Sequence, residues 1–183
     1  MAVIRRTHCK LSRYVMNPFP DSSPPTKHQH EELSIQQRAD MDNELARLME
    51  KNVSEVFGQP ARTLRKVAIA DIYIEDCVSV EADDEFVGRD GIDARAEGIL
   101  ELAPGCVLRP TGRAEIIGDL GLLRWRLGVP GAPPAITGVD VALFHNRKIR
   151  TLYTFIDPQS LYTFWDQLPN LLRRRGYKIQ SAF

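Results

Sequence analysis

One carboxylate in this chain stands among residues that would make it chemically useful. In TGVDVALFHNRKIRTLYTFID, Thr137 to Asp157, Asp140 lies between valines in a segment that reads as two β-strands joined by a polar turn at His145, Asn146 and Arg147. The first strand alternates Val139, Val141 and Leu143 on one face with Asp140, Ala142 and Phe144 on the other. A strand so nearly apolar on both faces is buried on both sides or lines a cavity. An ionised carboxylate is costly there unless something pairs with it. Asp140 is therefore either a hydrogen-bond hub, anchored to Tyr73 or to backbone, or a working acid. A second source of acids is Glu81-Ala82-Asp83-Asp84-Glu85. Glu81 and Asp83 are candidates for a general base; the competing reading is a solvated acidic turn. Trp125 could stack on a ligand or fill a core. Arg109 is either an anion clamp or an ordinary exposed arginine, and His145 either a base or a turn residue.

The elements that must position these residues follow from pattern. Residues 1 to about 40 include NPFPDSSPPTKHQHEE, rich in Pro, Ser and charge, and are expected to be a disordered tail. His28 and His30 there have no further ligands nearby and read as solvated. From Ala39 on, Leu45, Leu48, Met49, Val53 and Val56 make one helical stripe, with Asp42 as the expected N-cap and Gly58 and Pro60 as its end. A short helix over 61–68 runs into β-branched material from Ile72 to Val80. After the turn Gly88-Arg89-Asp90-Gly91, Asp90 is expected to cap a helix over 92–102. Strands are expected over 107–109, 114–117, 121–127, 136–144 and 149–156, separated by Gly- and Pro-rich turns. Helices grouped ahead of a β-meander argue for an α+β fold, a curved antiparallel sheet wrapped around the helices with a pocket between them.

Composition bounds the function classes. The chain has 183 residues, 43% hydrophobic and 26% charged, with formal net charge +0. That suffices for one domain with a core, and gives no global field for nucleic acid or anionic membrane. No apolar run approaches the roughly 20 residues of a membrane span. Arg5 and Arg6 are not followed by an apolar stretch, which argues against a signal peptide. Cys9, Cys77 and Cys106 lack metal or disulfide spacing. Cys77 and Cys106 read as small core residues in a reducing compartment, hence a cytoplasmic protein.

From about Asn43 to Asp157 the chain resembles the nuclear-transport-factor-2-like cone fold, and within it the SnoaL-like polyketide cyclase and ketosteroid isomerase group. The resemblance rests on VGRDGIDARAEGILELAPG (87–105), LRWRLG (123–128) and the closing hairpin TGVDVALFHNRKIRTLYTFID, in that order. It implies a cystatin-like α+β barrel over 41–158, leaving 159–183 as a C-terminal helical extension. It also places Asp140 where ketosteroid isomerases carry the aspartic acid that donates a hydrogen bond to the substrate oxyanion, an enzyme that serves as a general example of a carboxylic acid kept neutral by an apolar site. The family's general-base aspartate falls near Ser79, with Glu81 and Asp83 available if the alignment shifts. The Arg-Asp pair of limonene-epoxide hydrolases is replaced by Tyr153 and Thr154, and the histidine pair of scytalone dehydratase is lacking.

With Asp140 inward, Ala142 and Phe144 are inward too. The apolar set Leu123, Trp125 and Leu127 is expected to face pocket or core, and Arg124 and Arg126 to face out. The family comparison turns Leu152, Thr154 and Ile156 inward and Tyr153 and Phe155 outward. The expected site is thus Asp140 with Glu81 or Asp83 as catalytic groups, and Tyr73, Leu123, Trp125, Ala142, Phe144, Leu152, Thr154 and Ile156 around the ligand. The implied activity is a cofactor-independent and metal-independent isomerase, cyclase or dehydratase of secondary metabolism, acting on a hydrophobic polyketide- or terpenoid-like ring. The alternative is a non-catalytic binding or interaction module of the same fold. Tyr153 and Phe155 on an open sheet face imply a homodimer. Leu161, Phe164, Trp165, Leu168, Leu171 and Leu172 call for an apolar partner, either the cone's mouth or a second subunit.

Overall fold

The computed structural model describes residues 27–160; the expected extension beyond them lies outside the described residues. Three helices precede and interrupt a seven-stranded sheet: α1 Lys27–Lys51, continued by a π-helical turn Asn52–Phe57, α2 Arg62–Ile72 and α3 Gly88–Leu102, with β1 Tyr73–Val80, β2 Glu85–Val87, β3 Val107–Pro110, β4 Glu115–Ile117, β5 Leu120–Gly128, β6 Ile136–His145 and β7 Lys148–Ile156. The start of α1 falls in the first of two units, Met1–Gln36, and the rest of the fold in the second, Gln37–Phe183.

The sheet runs β2-β1-β7-β6-β5-β3, with β4 also on β5. It is curved and unclosed, and its helices cover one face, so the architecture is the α+β cone that the pattern indicates. The sheet is mixed, however, where an antiparallel one was expected: β1 pairs with β7 in parallel, Ser79 opposite Leu152. The remaining ladders are antiparallel. The β6–β7 hairpin turns at Asn146 and Arg147, both at positive φ (48° and 60°), the geometry of a two-residue type I′ turn.

Three helix boundaries differ from expectation, two starts and one end. Helix α1 begins at Lys27, and Asp42 lies within it rather than at its N-cap. The stretch after Pro25 holds Glu, Leu, Gln, Arg and Ala and no Gly or Pro, so nothing local breaks the helix upstream of Asp42. Helix α2 continues to Ile72, where Tyr73 turns extended. Helix α3 begins at Gly88, so Asp90 sits in its first turn, where its carboxylate accepts a bond from Lys66 Nζ (3.2 Å) instead of capping. The acidic run is not wholly turn either: Glu85 begins β2.

The core lies between helices and sheet. Leu45, Met49, Val53 and Val56 from α1 and its π turn pack with Ile69, Ile72, Ile92 and Ala96 against Leu123, Ala142, Phe144, Ile149 and Leu152. A buried ion cluster joins α2 to α3. Arg65 Nε and Arg62 Nε donate to Asp93 at 2.7 and 2.9 Å, and Arg65 also reaches Gln59 O. Burial alone would raise Asp93, but the bonds from both arginines outweigh it and hold the carboxyl below its usual range. Cys77 is fully buried, and burial pushes its thiol up to about 11, so it is an unreactive core residue.

Candidate functional site

A cavity of about 210 Å³ opens between α3, the π turn and the inner face of the sheet. Strand alternation supplies one wall: Trp125 and Leu127 from β5, Ile136 and Asp140 from β6, Thr154 and Ile156 from β7. Phe57 and the α3 residues Ile99, Leu102 and Ala103 form the other, and Glu81 and Arg95 stand together at one side. The lining is apolar apart from Asp140, Thr154, the Trp125 indole N–H and the Glu81–Arg95 pair.

Asp140 is 4% exposed. Its Oδ1 accepts from Trp125 Nε1 (2.8 Å) and Thr154 Oγ1 (3.0 Å), which fills both of that oxygen's acceptor directions. Its Oδ2 has, among the described residues, only Asn52 Nδ2, at 3.5 Å. Asn52 in turn accepts from Tyr73 Oη at 2.5 Å. Loss of hydration raises the Asp140 pKa to about 6; the bonds from Trp125 and Thr154 pull against this, and the nearby Glu81 charge adds to it. Burial and the Asp140 charge hold the Tyr73 hydroxyl well above its ordinary range, so Tyr73 remains a donor.

The indole reaches Asp140 because Gly138 makes room for it. Trp125 and Gly138 are direct cross-strand partners. A Cβ at position 138 would lie 2.6 Å from Phe155 O and 2.8 Å from Trp125 Cε2. Only glycine lets the ring lie across β6 toward the carboxylate two residues on.

Glu81 accepts both Nε (2.7 Å) and Nη2 (2.6 Å) of Arg95, whose guanidinium also lies 5.4 Å from the Phe86 ring centre. Strand β1 ends at Val80, and the backbone closes a turn from Glu81 N to Asp84 O (2.8 Å). That turn carries Asp83 to the surface, away from the cavity, so of the two expected base candidates only Glu81 lines it.

The expected ligand set divides in the same way. Trp125, Thr154 and Ile156 are on the wall. Leu123, Ala142, Phe144, Leu152 and Tyr73 face inward as expected, yet they are packed core rather than lining. Helix α1 fills that end of the cone: a Cβ on Gly121 would sit 2.8 Å from Phe144 Cε2 and 3.2 Å from Met49 Cγ. His145 is exposed beside Asn146, and Arg109 is exposed and does not line the cavity. Ser79 Oγ is buried without a hydrogen-bond partner among the described residues. Asn52, Arg95 and Gly138 were missed. An Asn within the apolar stripe of α1, and an isolated Gly in a strand, were the available signals for two of them; nothing local marked Arg95.

Fold and site together define a cone-shaped α+β protein with a small apolar cavity around one buried carboxyl. That is the fold of SnoaL-like and ketosteroid isomerase-like proteins. Among solved structures the chain is similar to a candidate isomerase of the SnoaL-like family from Agrobacterium tumefaciens, at 19% identity and TM-score 0.56 over 64% of this chain and 98% of that one. It is also similar to a candidate SnoaL-like polyketide cyclase from Jannaschia, at 12% identity and TM-score 0.55 over 67% and 92% of the two chains. A Catenulispora acidiphila protein with a ketosteroid isomerase-like fold, solved with trimethylamine, matches at 13% identity and TM-score 0.51 over 62% and 88%. No protein-family model matches the sequence, and no curated protein matches it. The likeness is one of fold. Among the described residues no helix is long and apolar enough to cross a membrane.

Proposed function

We propose that the cavity binds a compact, hydrophobic cyclic molecule carrying a carbonyl or hydroxyl group, and that the protein isomerises, cyclises or dehydrates it by general acid–base chemistry. The observation that carries this reading is Asp140: a carboxyl lining an apolar cavity, with a pKa raised to about 6. A group so poised exchanges its proton near neutral pH, which is what a general acid requires. The cavity falls below the roughly 300–1,000 Å³ of sites for drug-sized ligands, which favours a molecule of one or two rings. With Oδ1 occupied by Trp125 and Thr154, the proton of neutral Asp140 belongs on Oδ2. Donated to a ligand oxygen, it polarises the adjacent carbon. Glu81 is the group we assign to remove a proton from the carbon next to the polarised one, Arg95 holding it in position. Such assistance supplies about 10²–10⁴-fold.

A cheap test needs no known substrate: deuterium exchange at the carbon next to the carbonyl in a panel of small cyclic ketones, followed by proton NMR. Exchange lost in Asp140→Asn and in Glu81→Gln supports the acid–base reading. Saturable binding with no exchange in any ketone would instead establish the second reading, a binding module without catalysis. One observation favours that second reading: Arg95 engages Glu81 through both of its carboxylate oxygens.

We also propose that a second copy of the chain covers the outer face of the sheet. Val80, Tyr153, Val141 and Leu122 form one apolar row across β1, β7, β6 and β5, and Phe155 beside it is 60% exposed. A dimer mass by light scattering, reverting to a monomer in Phe155→Lys, is the expected result.

A further inference from the structure

On the side of β5 turned away from the cavity, Arg126 stands directly opposite Arg109 of β3. Both side chains are exposed, and neither has a hydrogen-bond or ion-pair partner among the described residues. Their neighbour Arg124 differs: it meets Glu115 at 3.2 Å. Like charges directly opposed on adjacent strands repel, and an unneutralised pair is a standing cost to the sheet. The pair also borders a cleft of about 310 Å³, separate from the cavity, whose other walls are Val107 and the loop residues Val129, Pro130 and Pro134. That loop is stiff. It carries Pro130, Pro133 and Pro134, turns at Gly131 (φ 82°), and is closed by Ala132 N to Val129 O (3.1 Å) and Ala135 N to Leu127 O (2.8 Å).

We infer that this cleft is a second binding site, taking a dianionic phosphate monoester whose organic body lies against the proline-bearing loop. Guanidinium forks match phosphate oxygens in pairs, and two forks on directly opposed residues, with Cβ atoms about 5 Å apart, can converge on one phosphate. Bound phosphate would neutralise the opposed charges. The apolar walls distinguish an organic phosphate from the free ion, since inorganic phosphate would leave them without a partner. Trp125 and Arg126 are consecutive on β5 and point to opposite faces, so the cleft and the cavity share a strand but no space.

The test is NMR titration of the full chain, reading the arginine Nε–H signals and the Gly131 amide against inorganic phosphate and, separately, phenyl phosphate at low salt. Saturable shifts at Arg109, Arg126 and Gly131 are expected, with phenyl phosphate the tighter ligand. Arg109→Gln and Arg126→Gln should each weaken phenyl phosphate about tenfold, the loss of one charge-assisted pair, while Arg124→Gln changes little. Melting curves of the three variants report their folding independently. Equal affinity for the two probes would assign the site to the free ion and overturn the organic ligand. Linear, unsaturating shifts, or shifts that persist in the Arg109→Gln/Arg126→Gln double variant, would overturn the site itself. So would an absence of shifts in the wild-type chain.

Discussion

Leu123 and Asp140 are direct cross-strand partners on the inner face of the sheet, and the cone changes character between them. Toward one end, Leu123, Ala142, Phe144 and Leu152 are solid core; toward the other, Trp125, Thr154, Ile156, Leu127 and Ile136 border open space. The strands are the same three and the alternation is unbroken. What differs is the layer above. At the solid end Met49 and Val53 descend into the sheet. At the hollow end the first helical segment stops at Phe57, with Gly58 as its cap, and the opposite wall is left to Ile99, Leu102 and Ala103 of α3. A cavity in this cone is therefore made by where a helix ends, and Asp140 stands on the border, its Oδ2 toward Asn52 and its Oδ1 held by Trp125 and Thr154.

The sharpest way to break that contrast is truncation on either side of the border. Leu123→Ala should cost about 2–5 kcal/mol, because surrounding core cannot collapse into the gap. Ile99→Ala, on a wall that already faces open space, should cost about 1 kcal/mol. Equal losses in denaturant unfolding would mean the hollow end is closed in solution.

Next in size is the pH dependence of Asp140. Its folded pKa, about 6, lies above the ordinary carboxylate value of 3.8. The fold therefore prefers the protonated form. The associated stability is fully present below pH 3.8 and is lost as the pH rises through about 6. The difference corresponds to about 3 kcal/mol. Urea unfolding of wild type and Asp140→Asn across that window should show the variant gaining on wild type as the pH rises. A constant difference would place the carboxyl in water.

Gly138→Ala should cost about 1–3 kcal/mol, since a methyl there displaces the Trp125 ring. It should also raise the Asp140 pKa further by removing the indole bond, which carboxyl NMR titration reads directly. The smallest effect is expected from Thr154→Val: about 1 kcal/mol in thermal melting, with the same upward pKa shift to a lesser degree.

Much of this was legible in the chain. With Asp140 set inward, period-two alternation and side-chain polarity put Trp125 on the inner face and Arg124 and Arg126 on the outer one, because facing depends only on neighbours along a strand; on the last strand it was the family resemblance that turned Thr154 inward and Tyr153 and Phe155 outward. Which inner residues wall a cavity depends on the depth of a helix from elsewhere, and no local pattern records that. The Glu81–Arg95 contact joins a turn to a helix face that reads as solvated in isolation. The start of α1 was hidden for the opposite reason: its first turns carry no apolar stripe, so periodicity had nothing to report before Leu45.

The parallel ladder between β1 and β7 has a consequence for how the chain can be made. Strand β1 emerges early in synthesis, but one of its two neighbours is β7, the last of the described strands, more than half the domain later. Until β7 is available, Cys77 and Ser79 belong to an open edge, and nothing local can close it. Contacts between residues so distant in sequence make folding slow, and an unpaired apolar edge during the wait is a surface for association with other chains. The nascent protein should thus depend on chaperones until residue 156 has cleared the ribosome, and should then complete its sheet in a single late step.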